Sequence, residues 1–210
     1  MATFEKGILG GFSGKIGNVV GARWRGKDIM RSVPRSSSRL PTESQLYQRD
    51  KFRMVSQFLK PIQPVLAMYF GSSQGSRSRS NLAVSYHLKE AVLGIAPPFY
   101  MEYTKVMFAK GVLLGLSDFQ ATLNGNNVDL TWTDNSGQSN AKSTDTVLIL
   151  TYNVHTQVFD YRQDVATRAA GAYSLSLLGN AGQEVYVWIA IHAADKVLVS
   201  TSSYVGSYTI

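Results

Sequence analysis

The chain reads Val128-Asp-Leu-Thr-Trp-Thr-Asp134 just past its midpoint, and apolar and polar residues alternate through this segment. Val128, Leu130 and Trp132 therefore fall on one side, which is typical of a strand with one buried face. Turn-forming residues bracket the segment, Asn-Asn before it and Asn-Ser-Gly after it. A tryptophan on such an early strand, followed by further alternating segments, predicts the core of a β-sandwich.

Six more candidate strands surround this one after residue 117, with turn residues between them. Strands at this spacing predict an immunoglobulin-like or fibronectin-like sandwich. In it we expect Tyr186 and Trp188 to face Trp132, and the opposite face of their strand to need its own cover. The predicted strands are Phe119–Leu123, Val128–Thr133, Thr146–Asn153, Val158–Arg162, Ala172–Leu177, Glu184–Ala193 and Val197–Tyr208.

The first half of the chain has a different character, because it combines a glycine-rich start with helical patterns. Residues 7–33 predict a β-hairpin that turns near Gly26, and residues 42–60 predict a helix that Pro61 ends. A further apolar piece reaches Phe70, a short helix capped by Asn81 spans residues 82–93, and a strand is expected at 101–108. The fold class predicted for the whole chain is mainly β with some α.

Two domains are expected from these patterns. Residues 1–112 would form a basic N-terminal unit with the hairpin, two helices and one strand, and residues 113–210 would form the sandwich. The charge supports this division: residues 1–110 hold 17 Lys and Arg against 6 Asp and Glu, whereas residues 111–210 hold 4 against 8. The basic half could face nucleic acid, an anionic surface or the acidic half of a second copy.

Cysteine is absent, which excludes disulfides, thiolate catalysis and cysteine-based metal sites. The first residues lack the pattern of a signal peptide, and no apolar run approaches the length of a membrane span. We therefore expect synthesis in the cytoplasm and no membrane span.

Candidate catalytic residues are few and scattered. The three histidines, His87, His155 and His192, lie in separate predicted elements without metal-ligand spacing. The aspartates of the second half fall at turns, where they bond their own backbone, although Asp134 and Asp145 flank a loop that could hold Ca²⁺. No nucleotide-binding loop or serine elbow is present. The sequence therefore predicts a protein that is not an enzyme and has no cofactor and no metal.

The best candidate surface is a run of basic residues interrupted by one tryptophan in the predicted hairpin. Cations interleaved with an aromatic ring are what proteins use to bind single-stranded nucleic acid. The alternative is that Trp24 is buried against the helix face while its neighbours point outward. The candidate interaction residues are Arg23, Trp24, Arg25, Lys27, Arg31, Arg35 and Arg39.

Two blocks of this chain are similar to those of an uncharacterised family found mainly in Bacteroidota. The first is Gly14-Lys-Ile-Gly-Asn-Val-Val-Gly-Ala-Arg-Trp-Arg-Gly26, and the second is Leu130-Thr-Trp-Thr-Asp-Asn-Ser-Gly137. The resemblance covers nearly the whole chain and implies a shared architecture. It implies no activity, cofactor or catalytic residue.

The leading hypothesis is a non-enzymatic structural or self-association protein, such as a subunit of a phage-like or extracellular assembly. Its partners would be further copies of itself or another protein. The alternative is a nucleic-acid-binding module that uses the basic N-terminal half. A ligand-binding sandwich is a third hypothesis, which rests on fold analogy alone.

Overall fold

A computed structural model describes residues 3–4, 11–24, 26–35, 39–73, 75 and 77–210 of the chain. Contacts divide it into two compact units: an N-terminal β-unit, Met1–Thr42, and a C-terminal unit, Glu43–Ile210. The fold is mainly β with some α, as predicted. The contacts do not separate the chain at residue 112, because the helices share a hydrophobic core with strands of the sandwich.

The N-terminal β-unit is an antiparallel sheet in which the strands follow their order in the sequence. The predicted hairpin with its turn at Gly26 is present, and a second turn at Gly17 precedes it. Both glycines have positive φ, +79° and +54°, which a residue with a side chain rarely adopts. The strands are β1 (Thr3–Phe4), β2 (Phe12–Ile16), β3 (Val19–Trp24) and β4 (Lys27–Ser32).

Three helices open the C-terminal unit: α1 (Glu43–Leu59), α2 (Gln63–Tyr69) and α3 (Arg79–Glu90). The first agrees with the predicted helix over 42–60, and Pro61 follows its end as expected. Helix α2 accounts for the apolar piece that was predicted to reach Phe70. Each helix turns a buried apolar stripe toward the interior, with Val55 and Leu59 as the buried residues of α1.

Helix α3 begins three residues before the predicted start, so the prediction that Asn81 caps it is wrong. Ser78 is the N-cap, with extended φ and ψ, and its side chain accepts a hydrogen bond from the backbone N–H of Asn81 at 3.3 Å. Asparagine and serine are both good capping residues. Capping preference therefore does not separate Asn81 from Ser78, and the backbone conformation identifies Ser78 as the cap.

The strand predicted over Met101–Phe108 is also wrong. The structure has two short paired strands, β5 (Val92–Leu93) and β6 (Tyr100–Met101), and then a 3-10 turn over Tyr103–Lys105. The following backbone donors bond side chains instead of a neighbouring strand: the N–H of Met107 donates to His87, and that of Phe108 to Ser202.

The seven predicted sandwich strands are all present, in two antiparallel sheets with the orders β11-β8-β7 and β10-β9-β12-β13. The bounds of β9 and β10 are those predicted, whereas the last strand begins later, because side chains of Ser200 and Ser202 bond the backbone there. The strands are β7 (Ser117–Asn124), β8 (Asn127–Thr133), β9 (Thr146–Asn153), β10 (Val158–Arg162), β11 (Ala172–Ser176), β12 (Glu184–His192) and β13 (Ser203–Thr209).

Two hydrophobic cores lie on the two sides of the four-stranded sheet. Between the sheets, Trp132 packs with Val185, Val187 and Ile189 of β12. On the other side, Trp188 and its neighbours on β12 pack with the helices. The expectation that Trp188 faces Trp132 is therefore wrong by one residue of register. Strand β12 is apolar on both faces, so alternation cannot tell which face meets which layer.

A buried arginine fastens one end of the sandwich. The side chain of Arg168 is fully buried and bonds Asp145 at 3.1 Å, Asn135, and the backbone oxygens of Leu114 and Gly115. Its own backbone oxygen accepts a hydrogen bond from the indole N–H of Trp132 at 2.8 Å. Asp145 is therefore part of a buried structural ion pair.

Candidate interaction surface

Strand β2 bends sharply where it leaves β3, and the bend decides which side of the β-unit is covered. The two strands pair only from Gly14 to Ile16. Before that point β2 crosses over β3, so a Cβ on Gly21 would lie 2.3 Å from the backbone oxygen of Phe12 and 2.6 Å from its ring. Only glycine permits so close an approach. One face of the β3–β4 hairpin therefore lies under the start of β2.

The opposite face of the hairpin carries a basic surface. Register places Lys15, Val20 and Arg31 in one row across three strands, and Trp24 beside Lys27 in another. Residues directly opposite in an antiparallel pair share a face, and residues two apart along a strand do as well. We call this surface the basic face. Its described residues are Lys15, Val20, Ala22, Trp24, Lys27, Ile29 and Arg31.

The structure brings together some of the predicted interaction residues and separates others. Trp24, Lys27 and Arg31 share the basic face, while Arg23 lies on the other face, opposite Asp28 of β4. Arg35 and Arg39 are exposed in the segment that follows β4, and Arg25 lies outside the described residues.

Trp24 is not buried, because 52% of its surface is exposed. Its neighbour Lys27, and Arg31 farther along β4, are exposed as well. This contradicts the alternative in which the indole packs inside the protein. Lys15 joins the basic face although it was not among the predicted residues. The only signal that could have found it is the β2–β3 register, which depends on the turn at Gly17.

Among residues 11–24, 26–35 and 39–42 of the β-unit no hydrophobic side chain is buried, although these residues include Ile16, Val19, Trp24, Ile29 and Met30. Strand β4 is the clearest case, because it is last in the strand order and all six of its residues are exposed. Met30 exposes 74% of its surface and Ile29 exposes 38%. An exposed edge strand presents unpaired backbone groups on which another chain can add a strand.

The candidate catalytic residues do not come together. His87 is buried in α3, where its Nδ1 lies 2.8 Å from the backbone oxygen of Ala83 and its Nε2 accepts from the N–H of Met107. Nδ1 must therefore carry the proton, and burial lowers the pKa of the imidazole. His155 is exposed on a turn and is far in the sequence from both His87 and His192.

His192 is held in a polar cluster at one end of β12. Its Nε2 lies 2.8 Å from Asp164 and 2.9 Å from the hydroxyl of Thr146, and its Nδ1 lies 2.8 Å from the backbone oxygen of Ala193. Asp164 is itself bonded by Thr146 and approached by Lys196 at 3.5 Å. Burial acts to raise the pKa of Asp164, but the hydrogen bonds from Thr146 and His192 and the positive charge of Lys196 outweigh it, so the pKa of Asp164 is lowered. The arrangement anchors the loop after β10 and leaves no nitrogen to activate a nucleophile.

An aromatic groove of about 330 Å³ opens on the C-terminal unit between α1 and the β9–β10 hairpin. Phe58 lies at its centre, with ring centroids of Tyr152 and Phe159 at 5.2 and 5.0 Å. Burial raises the pKa of Tyr152 to about 12. Such a groove is of the kind that takes a small ligand, and sequence periodicity gave no sign of it.

Within the described part of the chain, no group of three His, Asp or Glu residues is placed to hold a metal ion. Among the same residues, no helix is both long enough and apolar enough to cross a membrane.

Comparison with known families gives one finding. The model of a family of unknown function, DUF6266, matches residues 11–206, and the chain therefore belongs to that family. This agrees with the resemblance to an uncharacterised family. No curated protein gives a significant match.

Proposed function

We propose that this member of DUF6266 is a non-enzymatic structural protein that associates with further copies of itself, as a subunit of a larger assembly. The contact would be made by strand β4 of two copies, which pair edge to edge. The observation that carries the proposal is the exposed β4 edge, with Ile29 and Met30 exposed, in a β-unit where no hydrophobic side chain among residues 11–24, 26–35 and 39–42 is buried.

The size of the β-unit supports an external contact. A few short strands without a packed face are marginal in water, and units of about 40 residues usually need help from a metal, a disulfide or association. Cysteine is absent. Full burial of each large apolar side chain would contribute about 1.5–3 kcal/mol, so Ile29 and Met30 could supply a useful part of the association energy.

The sequence of β4 favours one register for two symmetric copies. A two-fold axis through an antiparallel pair places one residue opposite itself, and like charges directly opposite are destabilising. An axis at Asp28 or Arg31 opposes identical charges, and an axis at Ile29 opposes Lys27 to Arg31. An axis at Met30 avoids all of these, with Ile29 opposite Arg31 and Asp28 opposite Ser32. We therefore place the axis at Met30.

Light scattering after size exclusion tests the proposal. We expect the full chain to be dimeric or larger, and a chain beginning at Pro41 to be monomeric. In the full chain, Ile29→Lys with Met30→Lys should also give a monomer, because charges at the edge oppose strand addition. Val197→Lys is the matched control, since Val197 exposes 75% of its surface outside the β-unit. A full chain that stays monomeric at high concentration would refute self-association.

A further inference from the structure

We propose that the basic face of the β-unit binds single-stranded nucleic acid, with Trp24 stacking on a base and Lys15, Lys27 and Arg31 contacting phosphates. This goes beyond the proposed function and does not depend on it, because a single copy carries the complete face. The face includes Lys27, Ile29 and Arg31 of β4, the strand by which two copies would pair, so the two proposals are tested with different variants.

The charge of the face selects a polyanion. Among its described residues are three cations and no carboxylate. The one aspartate of β3 and β4, Asp28, lies on the other side, where a Cβ on Gly11 would come within 2.3 Å of its carboxyl carbon. Residues 1–42 hold eight Lys and Arg against two Asp and Glu. A second copy of this face stacked directly onto it would be repelled, whereas a phosphate backbone would be attracted.

The cations are spread across the face and not gathered at one point. Lys15 and Arg31 flank Val20 in one row, two strand spacings or about 10 Å apart. Trp24 and Lys27 form a second row. It lies four residues, or about 13 Å, along the strands from the first row. A compact anion would reach only one of these positions. An extended chain of phosphates can reach both.

The exposed ring of Trp24 favours single-stranded over double-stranded nucleic acid as the ligand. Bases in a duplex are already stacked on one another, whereas an unpaired base can stack on an aromatic side chain, which contributes about 1–3 kcal/mol. Trp24 is half-exposed beside Lys27, and the small side chain of Ala22 and the side chain of Ile29 extend the flat apolar surface next to it. Arg35 and Arg39 are exposed in the segment that follows β4.

Fluorescence anisotropy with labelled oligothymidylate of about 16 nucleotides tests the inference on the full chain. We expect binding at low salt that weakens steeply as salt is added. Trp24→Ala should lower the affinity about tenfold, and Trp24→Phe should restore most of it, because a ring remains. Lys27→Gln should lower the slope of log affinity against log salt by about 0.7. The matched control is Arg49→Gln, an exposed arginine of α1 that should change neither quantity.

Several results would overturn the inference. One is the absence of oligothymidylate binding at low salt. Others are a duplex of the same length, or polyglutamate, that binds as tightly as oligothymidylate, and an affinity that Trp24→Ala leaves unchanged. If Trp24→Ala does not fold, the salt slope of Lys27→Gln decides. Light scattering of each variant without nucleic acid keeps this inference distinct from self-association. A monomer that binds oligothymidylate would refute only the proposed function, and an oligomer that does not bind would refute only this one.

Discussion

His87 makes stability depend on pH through a single buried side chain. Its Nδ1–H donates to Ala83, and its Nε2 accepts from Met107, so both nitrogens are satisfied by the neutral ring. Burial lowers the pKa of His87 in the folded state. The unfolded chain therefore takes up a proton at a pH where the folded protein does not. The stabilising effect of the neutral ring is fully present above about pH 6.5 and decreases as the pH falls below it.

We predict that the free energy of unfolding decreases between pH 7.5 and pH 5 in the native protein. His87→Gln should be less stable at pH 7.5 but should lose less stability over this interval, since glutamine does not titrate there. Urea unfolding at the two pH values measures both. An equal loss in the variant would show that another group causes the dependence. Asp164 does not affect this measurement. Its pKa is lowered, so the stability that its ionised form contributes is lost only at more acidic pH.

Arg168 and Asp145 form a buried ion pair in which each charge is stabilised by the other. Both side chains are fully buried. Removing one partner leaves an unpaired charge in the interior, which costs about 3–5 kcal/mol. We predict a loss of that size for Arg168→Met in chemical denaturation, and a smaller loss when Asp145→Leu is added to it.

The control for this prediction is the pair Arg162 and Asp160, which are 2.8 Å apart but partly exposed. Arg162→Met should cost about 1 kcal/mol, as is usual for pairs near solvent. If the two arginine variants lose the same stability, burial does not govern the strength of these pairs.

At the scale of elements, the N-terminus of α3 allows a direct comparison of the observed cap, Ser78, with the predicted cap, Asn81. Ser78→Ala removes the side-chain acceptor from the first turn and should destabilise the protein by about 1 kcal/mol. Asn81→Ala, at the position that the sequence favoured, should be neutral or slightly stabilising, because Asn81 lies inside the helix and alanine has the higher helix propensity. Thermal unfolding of the two variants compares them. The reverse order would mean that Asn81 is the functional cap.

The elements themselves show what sequence reasoning can reach. Strands β9 and β10 were predicted with their observed bounds, because each is a regular apolar pattern between clear turns. The strand predicted over 101–108 was wrong, because backbone N–H groups of this segment bond the side chains of His87 and Ser202, which lie far away in the sequence. The faces of β12 were exchanged because both are apolar. Long-range partners, not local propensity, decide these features.

The interaction surface was predictable only in part, for a related reason. Composition alone pointed to Trp24, Lys27 and Arg31. Register was needed to add Lys15 and to move Arg23 to the opposite face. A change of one residue in strand pairing exchanges the two faces of a sheet, so a basic cluster in the sequence is a surface only once the pairing is known.

At the scale of the whole molecule, charge and packing differ between the two units. The C-terminal unit buries its apolar residues in two cores, whereas no apolar side chain is buried among residues 11–24, 26–35 and 39–42 of the β-unit. The β-unit also carries most of the excess positive charge. A β-unit that exposes its apolar side chains is what we expect of a protein in which that unit completes its packing in an assembly.

The most direct test of this account is a single cysteine at position 30. The chain has no cysteine of its own, so Met30→Cys introduces one thiol per copy. If β4 pairs with β4 about an axis at Met30, the two Cα atoms lie about 4.5–5.5 Å apart, within the range of a disulfide. Mild oxidation should then give a covalent dimer rapidly, and Val197→Cys should not. Equal, slow crosslinking of both variants would contradict pairing through β4.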